Sequence, residues 1–250
     1  MTAYYNEHDE NAAAWLRELI KEGHIADGIV DTRSIVAVEA ADLRDFDQCH
    51  FFAGIAGWSL AMRLAGWPDD RHVWTGSCPC QPHSAAAADR RKGFADKRDL
   101  WPCWFNLVAQ CRPDIIFGEQ VDDTAAWIDR TISDLEAAGF AVGSIDLPAC
   151  AAGAPHERMR HYFVAHADGA GRGEQGWPVA VGPELMAVER DGRGSWFGDH
   201  VSAGELGRRR RTKPGVRVLD DGLPARVAAL RGFGNAVVPQ VAAAFIEAVM

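Results

Sequence analysis

Cysteine is scarce in this sequence, and its spacing gives no sign of a metal site. The 250 residues include six cysteines, none of them in a Cys-x-x-Cys arrangement and none in a paired framework. A disulfide-stapled secreted domain and a structural zinc site both depend on such patterns. The sequence therefore argues against both classes, and it favours a reducing compartment, the cytoplasm, and no bound metal.

Long apolar runs are absent as well. No stretch is apolar over the roughly 20 residues that a membrane-spanning helix needs, and residues 1–10 are too polar for a signal peptide. With 48% hydrophobic residues, the chain can instead bury the core of one globular domain. We expect residues 1–167 and 220–250 to form that domain, and residues 168–219 to form a short, loop-rich insertion.

Positive charge is in deficit, because the formal net charge is -9. This balance argues weakly against nucleic-acid binding by bulk electrostatics, although local charge matters more than the total. Two basic clusters stand out, one within residues 90–98 and one within residues 208–213. The charge pattern therefore leaves nucleic-acid binding open.

Apolar residues alternate along the chain between strand and helix periods, as the α/β class requires. Strands are predicted near residues 50, 74, 114–118 and 141–147, and helices near 13–21, 59–65, 100–110, 124–138 and 241–249. The first helix would bury Trp15, Leu16, Leu19 and Ile20, whereas residues 31–47 read as acidic and irregular. This order predicts a doubly wound, mostly parallel sheet with helices on both faces.

The segment Thr75-Gly76-Ser77-Cys78-Pro79-Cys80-Gln81-Pro82 is the strongest candidate for a reactive site. Small residues and proline force a turn directly after a short buried strand, and Cys80 stands at its tip. Backbone N–H groups or a helix N-terminus near such a loop can lower a thiol pKa and favour the thiolate. The alternative is that Cys78 and Cys80 are small buried hydrophobes, as most free cysteines are.

Three further stretches carry polar or small residues at strand ends. Glu119 follows a buried strand, where open α/β sheets keep their ligand sites. Arg158 and Arg160 are two residues apart and would share one face of an extended chain, suited to a carboxylate, a phosphate or a base edge. A glycine turn at 54–57 could admit a ligand to a helix N-terminus, or it could serve close packing. The alternatives are that Glu119 is a solvent-facing acid and that the arginines form a surface ion pair.

These stretches form an ordered set: Phe52-Ala53-Gly54-Ile55-Ala56-Gly57, Pro79-Cys80-Gln81, Glu119-Gln120-Val121, Arg158-Met159-Arg160 and Gly234-Asn235-Ala236-Val237. The set resembles the DNA cytosine-5 methyltransferases, most of all their compact phage and prophage forms. The resemblance covers roughly residues 49–165 and 222–250. It implies a Rossmann-like, S-adenosylmethionine-dependent methyltransferase that modifies C5 of cytosine in double-stranded DNA.

The resemblance implies roles for four catalytic residues. Cys80 would attack C6 of the cytosine as a thiolate, and Glu119 would hold N3 and promote its protonation. Arg160 would contact the carbonyl oxygen of the base, with Arg158 bracing the site. Because C5 and C6 are inaccessible in a stacked duplex, the base must be flipped.

The resemblance also implies contacts to cofactor and DNA. Phe52 would lie against the adenine of S-adenosylmethionine, and the other residues of this group would line the pocket: Ala53, Gly54, Ile55, Gly57, Pro79, Asn235 and Ala236. The loop at 81–99 would close over the flipped base. The expected DNA contacts there and in the second basic cluster are Gln81, Ser84, Arg90, Arg91, Lys92, Arg98, Arg209 and Arg210. Because the insertion lacks a strong hydrophobic period, we predict a short or degenerate target of roughly two to four base pairs.

The chain departs from the family pattern in several places. Gln120, Ala56 and His156 stand where the family usually has asparagine, glycine and glutamine. More importantly, the few residues between Gly66 and the Cys80 turn leave no room for the two strands that normally follow the first helix. We predict that the N-terminal segment supplies that edge instead, through residues 30–35 and the acids after them, and that Asp31 replaces the missing acid that binds the cofactor ribose.

Two other functions fit the same motifs: cytosine-5 methylation of RNA, and a catalytically silent DNA-binding relative that has lost its cofactor edge. We expect a monomer or weak dimer. The biological role stays open between self-protection, partnership in restriction–modification, and regulation.

Overall fold

The structure is a computed structural model that describes residues 3–79, 99–121, 124–154, 158–167 and 236–250. Its strands are β1 (Ala3–Asn6), β2 (Gly28–Asp31), β3 (Gln48–Phe51), β4 (Val73–Gly76), β5 (Ile115–Val121), β6 (Phe140–Pro148) and β7 (Met159–Ala167). Its α-helices are α1 (Glu10–Lys21), α2 (Gly57–Leu64), α3 (Trp101–Cys111), α4 (Ala125–Ala137) and α5 (Pro239–Glu247). Short 3-10 turns span Ile35–Ala37, Ala40–Leu43 and Ala149–Ala152.

All seven strands form one sheet in the order β2-β1-β3-β4-β5-β7-β6. Strands β1 to β5 pair in parallel with their neighbours, whereas β7 runs antiparallel to both β5 and β6. Helices cover both faces of the sheet. The prediction of a doubly wound, mostly parallel sheet is therefore confirmed.

Successive side chains of the strands point to opposite faces of the sheet, and each face packs in an apolar layer. On one face, Phe51, Trp74 and Ile116 pack with Trp104 of α3 and Trp127 of α4. The opposite face carries Phe117, Tyr162 and Val164 with α2 and α5, and Tyr5 extends that layer to α1. Burial on both faces explains the continuous apolar start of β5, Ile115 to Phe117.

The first two strands of the chain lie beside β3, at the edge of the sheet. Asn6 pairs with Phe51 on one side and with Asp31 on the other. Helix α2 then leads directly to β4, which pairs with the other side of β3. The prediction that the N-terminal segment supplies the missing edge is confirmed in part. Of the predicted residues 30–35, Val30 and Asp31 lie in the edge strand β2, whereas the other strand of this edge, β1, was not predicted.

One local prediction is wrong and another is incomplete. Trp15 does not join the buried face of α1, since 52% of its surface is exposed. Residues 32–47 have no α-helix or strand, as predicted, but Ile35, Leu43 and Phe46 are buried against the α3 layer. An acidic composition hid these anchors, which are too widely spaced to show a helix or strand period.

Candidate active site

The carboxyl ends of the three central strands meet at one edge of the sheet. Phe51 of β3 is in register with Gly76 of β4, and Gly76 is in register with Gly118 of β5. The next residues along each strand are Phe52, Ser77 and Glu119, so these three positions lie side by side. In an open parallel sheet this is where ligands bind.

Glu119 is the buried acid of this edge. Its side chain is 6% exposed, and its Oε1 lies 3.0 Å from Nε of Arg160 on the antiparallel strand β7. Burial raises the pKa of Glu119, and the charges of Arg160 and Arg158 oppose that shift only in part. The site therefore holds a carboxyl group that can keep a proton beside a guanidinium that can meet an oxygen.

Arg158 takes a different direction from Arg160. The spacing of the two arginines predicted that they share one face of an extended strand. They do not, because the backbone of Arg158 is in the left-handed region, at φ 36°. Nη2 of Arg158 donates to the carbonyl oxygen of Ala236, at 2.8 Å. Burial lowers the pKa of Arg158. Arg158, which directly precedes β7, thus connects that strand to the C-terminal segment.

The turn after β4 is held from both sides. The amide nitrogen of Gln120 donates to the carbonyl oxygen of Cys78 at 3.1 Å, and the amide oxygen of Gln120 accepts the N–H of Val121 at 2.9 Å. On the other side, Nε1 of Trp58 donates to the hydroxyl oxygen of Ser77 at 3.1 Å. Sequence reasoning gave neither Trp58 nor Ser77 a role. Their contact joins residues 19 positions apart, and no local pattern reports it.

The turn between β3 and α2 has a strained backbone. Phe52, Gly54 and Ala56 all have positive φ, at 53°, 56° and 71°, and only the glycine adopts such angles without steric cost. A Cβ on Gly57 would lie 3.0 Å from Val237, because the C-terminal segment packs against the start of α2. Phe52 is half-buried, with its ring edge-on to Trp104 at 6.1 Å between centroids.

Glu7 brings a carboxylate to this turn. It directly follows β1, and its Oε2 accepts the backbone N–H of Gly54 at 2.7 Å. Its other oxygen accepts the N–H of Asp9 at 2.8 Å. Glu7 was missed because the polar residues 1–10 gave no strand signal, so no acid could be assigned to a strand end.

Asp31 lies one strand further from β3 and its oxygens are already engaged. Its carboxylate accepts the hydroxyl of Tyr4 at 2.6 Å and Nη2 of Arg33 at 2.7 Å. Arg33 also bonds Asp42 at 2.9 Å. These bonds lower the pKa of Asp31 although partial burial of the carboxyl acts to raise it.

The remaining predicted positions divide into two groups. Ala53, Ile55, Pro79 and Ala236 are described, and the first two lie in the β3–α2 turn. Outside the described residues lie Cys80, Gln81, Ser84, Arg90, Arg91, Lys92, Arg98, Arg209, Arg210 and Asn235, and with them the insertion at 168–219.

The described residues contain neither a metal-ligand cluster nor a membrane-spanning helix. In that part of the chain no three His, Cys, Asp or Glu side chains group as metal ligands would. Every helix there is too short or too polar to cross a bilayer.

Residues 67–178 match the model of the C-5 cytosine-specific DNA methylase family. That stretch contains Cys80, Glu119, Arg158 and Arg160. No curated protein sequence matches the chain significantly.

Several solved structures are similar in fold. The Entamoeba histolytica methyltransferase EhMeth is 14% identical, with a TM-score of 0.45 over 69% of this chain and 46% of that one. A prophage-encoded E. coli protein, described as a DNA modification methyltransferase, is 16% identical, with a TM-score of 0.42 over 66% and 40%. A mutant of Spodoptera frugiperda DNMT2 is 14% identical, with a TM-score of 0.43 over 72% and 53%. The chain thus spans about half the length of these neighbours.

Proposed function

We propose that this chain methylates C5 of cytosine in double-stranded DNA through a covalent bond to Cys80, since residues 67–178 match the model of the C-5 cytosine-specific DNA methylase family. The observation that carries the proposal is the buried Glu119–Arg160 pair beside the turn that leads to Cys80. A family match alone would not require an acid and a guanidinium 3.0 Å apart at the same strand ends.

The proposed chemistry assigns each of these groups to one atom of a flipped cytosine. The Cys80 thiolate adds to C6, and the electron pair displaced from the ring moves toward N3. Glu119 donates its proton to N3, which neutralises that charge. Arg160 donates to the carbonyl oxygen at position 2 and stabilises the negative charge that develops there. C5, made nucleophilic by this addition, would then form the bond to the transferred methyl group. Loss of the C5 proton would restore the C5–C6 double bond and expel the Cys80 thiolate.

The raised pKa of Glu119 supports this role. A carboxyl group that donates a proton at neutral pH needs a pKa above its ordinary range. Burial supplies that increase, and the charges of the two neighbouring arginines oppose it. Arg160 would also bind the oxygen of the base, so its charge serves both functions.

The turn after β3 fits S-adenosylmethionine, the cofactor of this family. When bound, the cofactor supplies the methyl group. Phe52 would contact its adenine, and the backbone of the turn at 53–57 would approach the rest of the molecule, as the positive φ of Gly54 permits. Ala236, held by Arg158, would close the pocket from the C-terminal side.

We further propose that Glu7, rather than Asp31, binds the ribose hydroxyls. A carboxylate offers about four lone-pair positions, and backbone N–H groups occupy two of those on Glu7. The remaining two match a diol. Asp31 is a poorer candidate, because Tyr4 and Arg33 already occupy its oxygens.

The deciding experiment is methyl transfer from labelled S-adenosylmethionine to duplex DNA and, in parallel, to transfer RNA. We expect label in DNA, its loss in Cys80→Ser, and retention of much of it in Cys78→Ser as the matched control. Duplexes that carry 5-fluorocytosine should form a covalent adduct at Cys80, since fluorine blocks the final elimination. Label in RNA alone would show that the substrate is RNA and not the proposed DNA. No label in either, with intact cofactor binding, would indicate a silent relative.

A further inference from the structure

The proposed reaction needs the Cys80 thiolate and the Glu119 carboxyl in a fixed relative position. Different segments carry these two groups, and one side chain, that of Ser77, connects the segments. Ser77 belongs to the turn that leads to Cys80, three residues before it. Because Gly76 and Gly118 are in register on β4 and β5, Ser77 lies beside Glu119, and its hydroxyl acts to lower the pKa of the Glu119 carboxyl. A third group, the indole of Trp58 on α2, contacts the same hydroxyl at 3.1 Å.

The direction of these hydrogen bonds follows from the donor inventory. An indole N–H can only donate, whereas a serine hydroxyl has one proton and two lone pairs. The hydroxyl oxygen of Ser77 therefore accepts the Trp58 N–H. Its own proton is left for the neighbouring Glu119 carboxyl, which keeps an acceptor oxygen whether or not it is protonated. The order of donation is Trp58 to Ser77 to Glu119.

We propose that Ser77 is a positioning residue that couples the turn before the nucleophile to Glu119, and that the Trp58 indole N–H orients its hydroxyl for this task. The inference rests on the proposed function, because its consequence is geometric control of that reaction. Arg160 donates to one oxygen of Glu119. With Ser77 as a second donor, the carboxyl group is held in one orientation toward the base.

Burial makes this chain of bonds rigid. Trp58 is 4% exposed and packs edge-on to Tyr162 at 6.1 Å and tilted against Phe117 at 6.2 Å. Its indole cannot turn away without breaking the layer between the sheet and α2. A small displacement of a catalytic group, near 1 Å, can cost about a hundredfold in rate, so such support has a measurable effect.

The test uses Ser77→Ala and Trp58→Phe, with Trp67→Phe as the matched control. Trp67 is equally buried and packs on the same Phe117 ring, but its N–H donates to the backbone oxygen of Arg71, away from the site. We expect kcat to fall about tenfold to a hundredfold in Ser77→Ala and in Trp58→Phe, with unchanged affinity for S-adenosylmethionine. Ser77→Thr should recover activity.

Two results distinguish positioning from general packing. The double variant of Trp58 and Ser77 should be no slower than Ser77→Ala alone, because Trp58 acts through Ser77. Losses that multiply, or equal losses in Trp58→Phe and Trp67→Phe, would overturn the proposal.

A second readout does not depend on activity. The pKa of Glu119, followed by NMR of its labelled carboxyl carbon and assigned with Glu119→Gln, should rise in Ser77→Ala and stay unchanged in Trp67→Phe. An unchanged pKa in Ser77→Ala would overturn the inference even in an active enzyme. A raised pKa in a chain that methylates nothing would support Ser77–Glu119 coupling while refuting the proposed function.

Discussion

The assignment of the ribose contact to Glu7 makes a quantitative prediction. Glu7→Gln replaces one acceptor oxygen by an NH2 group, which cannot accept from a ribose hydroxyl or from the N–H groups of Gly54 and Asp9. Those two bonds are short, at 2.7 Å and 2.8 Å, so the replaced oxygen leaves one backbone donor without its partner. A hydrogen bond to a charged group contributes about 1.5–3 kcal/mol. The dissociation constant of S-adenosylmethionine should therefore rise about tenfold or more.

The assay is isothermal titration calorimetry of each variant with S-adenosylmethionine, and the comparison variant is Asp31→Asn. Because Tyr4 and Arg33 occupy the oxygens of Asp31, we expect its affinity to stay within about threefold of the original, less than 1 kcal/mol. Thermal melts of the cofactor-free variants show whether Glu7→Gln has loosened the turn itself. Unchanged affinity in Glu7→Gln, or a larger loss in Asp31→Asn, would refute the assignment.

Three further predictions concern stability and DNA binding. Burial lowers the pKa of His50 to about 3. Below about pH 6.5 the unfolded chain therefore binds one more proton than the folded chain, and the free energy of unfolding should fall by about 1.4 kcal/mol per pH unit. In urea titrations between pH 7 and 5, His50→Leu should lose this contribution to the pH dependence of the free energy of unfolding. A Cβ on Gly118 would lie 2.1 Å from the ring of buried Phe163, so Gly118→Ala should lower the free energy of unfolding by about 1–3 kcal/mol. If Gly118→Ala costs as much in a Phe163→Leu background, the cause is not steric. Replacing Arg209 and Arg210 by alanine should weaken binding to all DNA sequences alike and lower the salt slope by about 2, whereas a changed sequence preference would show that the segment reads bases.

The order of motifs along the chain was sufficient to predict much of the sheet. The apolar run before Glu119 marks a buried strand, and that strand is β5, with Glu119 near its carboxyl end. Such runs report burial on both faces, which is a local property of the chain. The short distance from Gly66 to the Cys80 turn likewise showed that two strands had to come from elsewhere.

Other features could not be read locally. β1 has only four residues and lies among polar neighbours, so its period is too short to detect. Trp15 and Trp58 are both helical tryptophans, yet one is 52% exposed and the other 4%. The helices alone do not distinguish them, because burial depends on which surface each helix covers.

The sequence by itself determined the α/β class, the strand ends that carry Glu119 and Arg160, and the need for a substitute edge. Tertiary structure decided which residues meet there: Glu7 with Gly54, 47 positions apart, and Trp58 with Ser77. Periodicity and turn residues act within a few positions and can be seen in the sequence. Strand order and cross-chain hydrogen bonds depend on how the whole core packs, and only the folded chain brings those partners together.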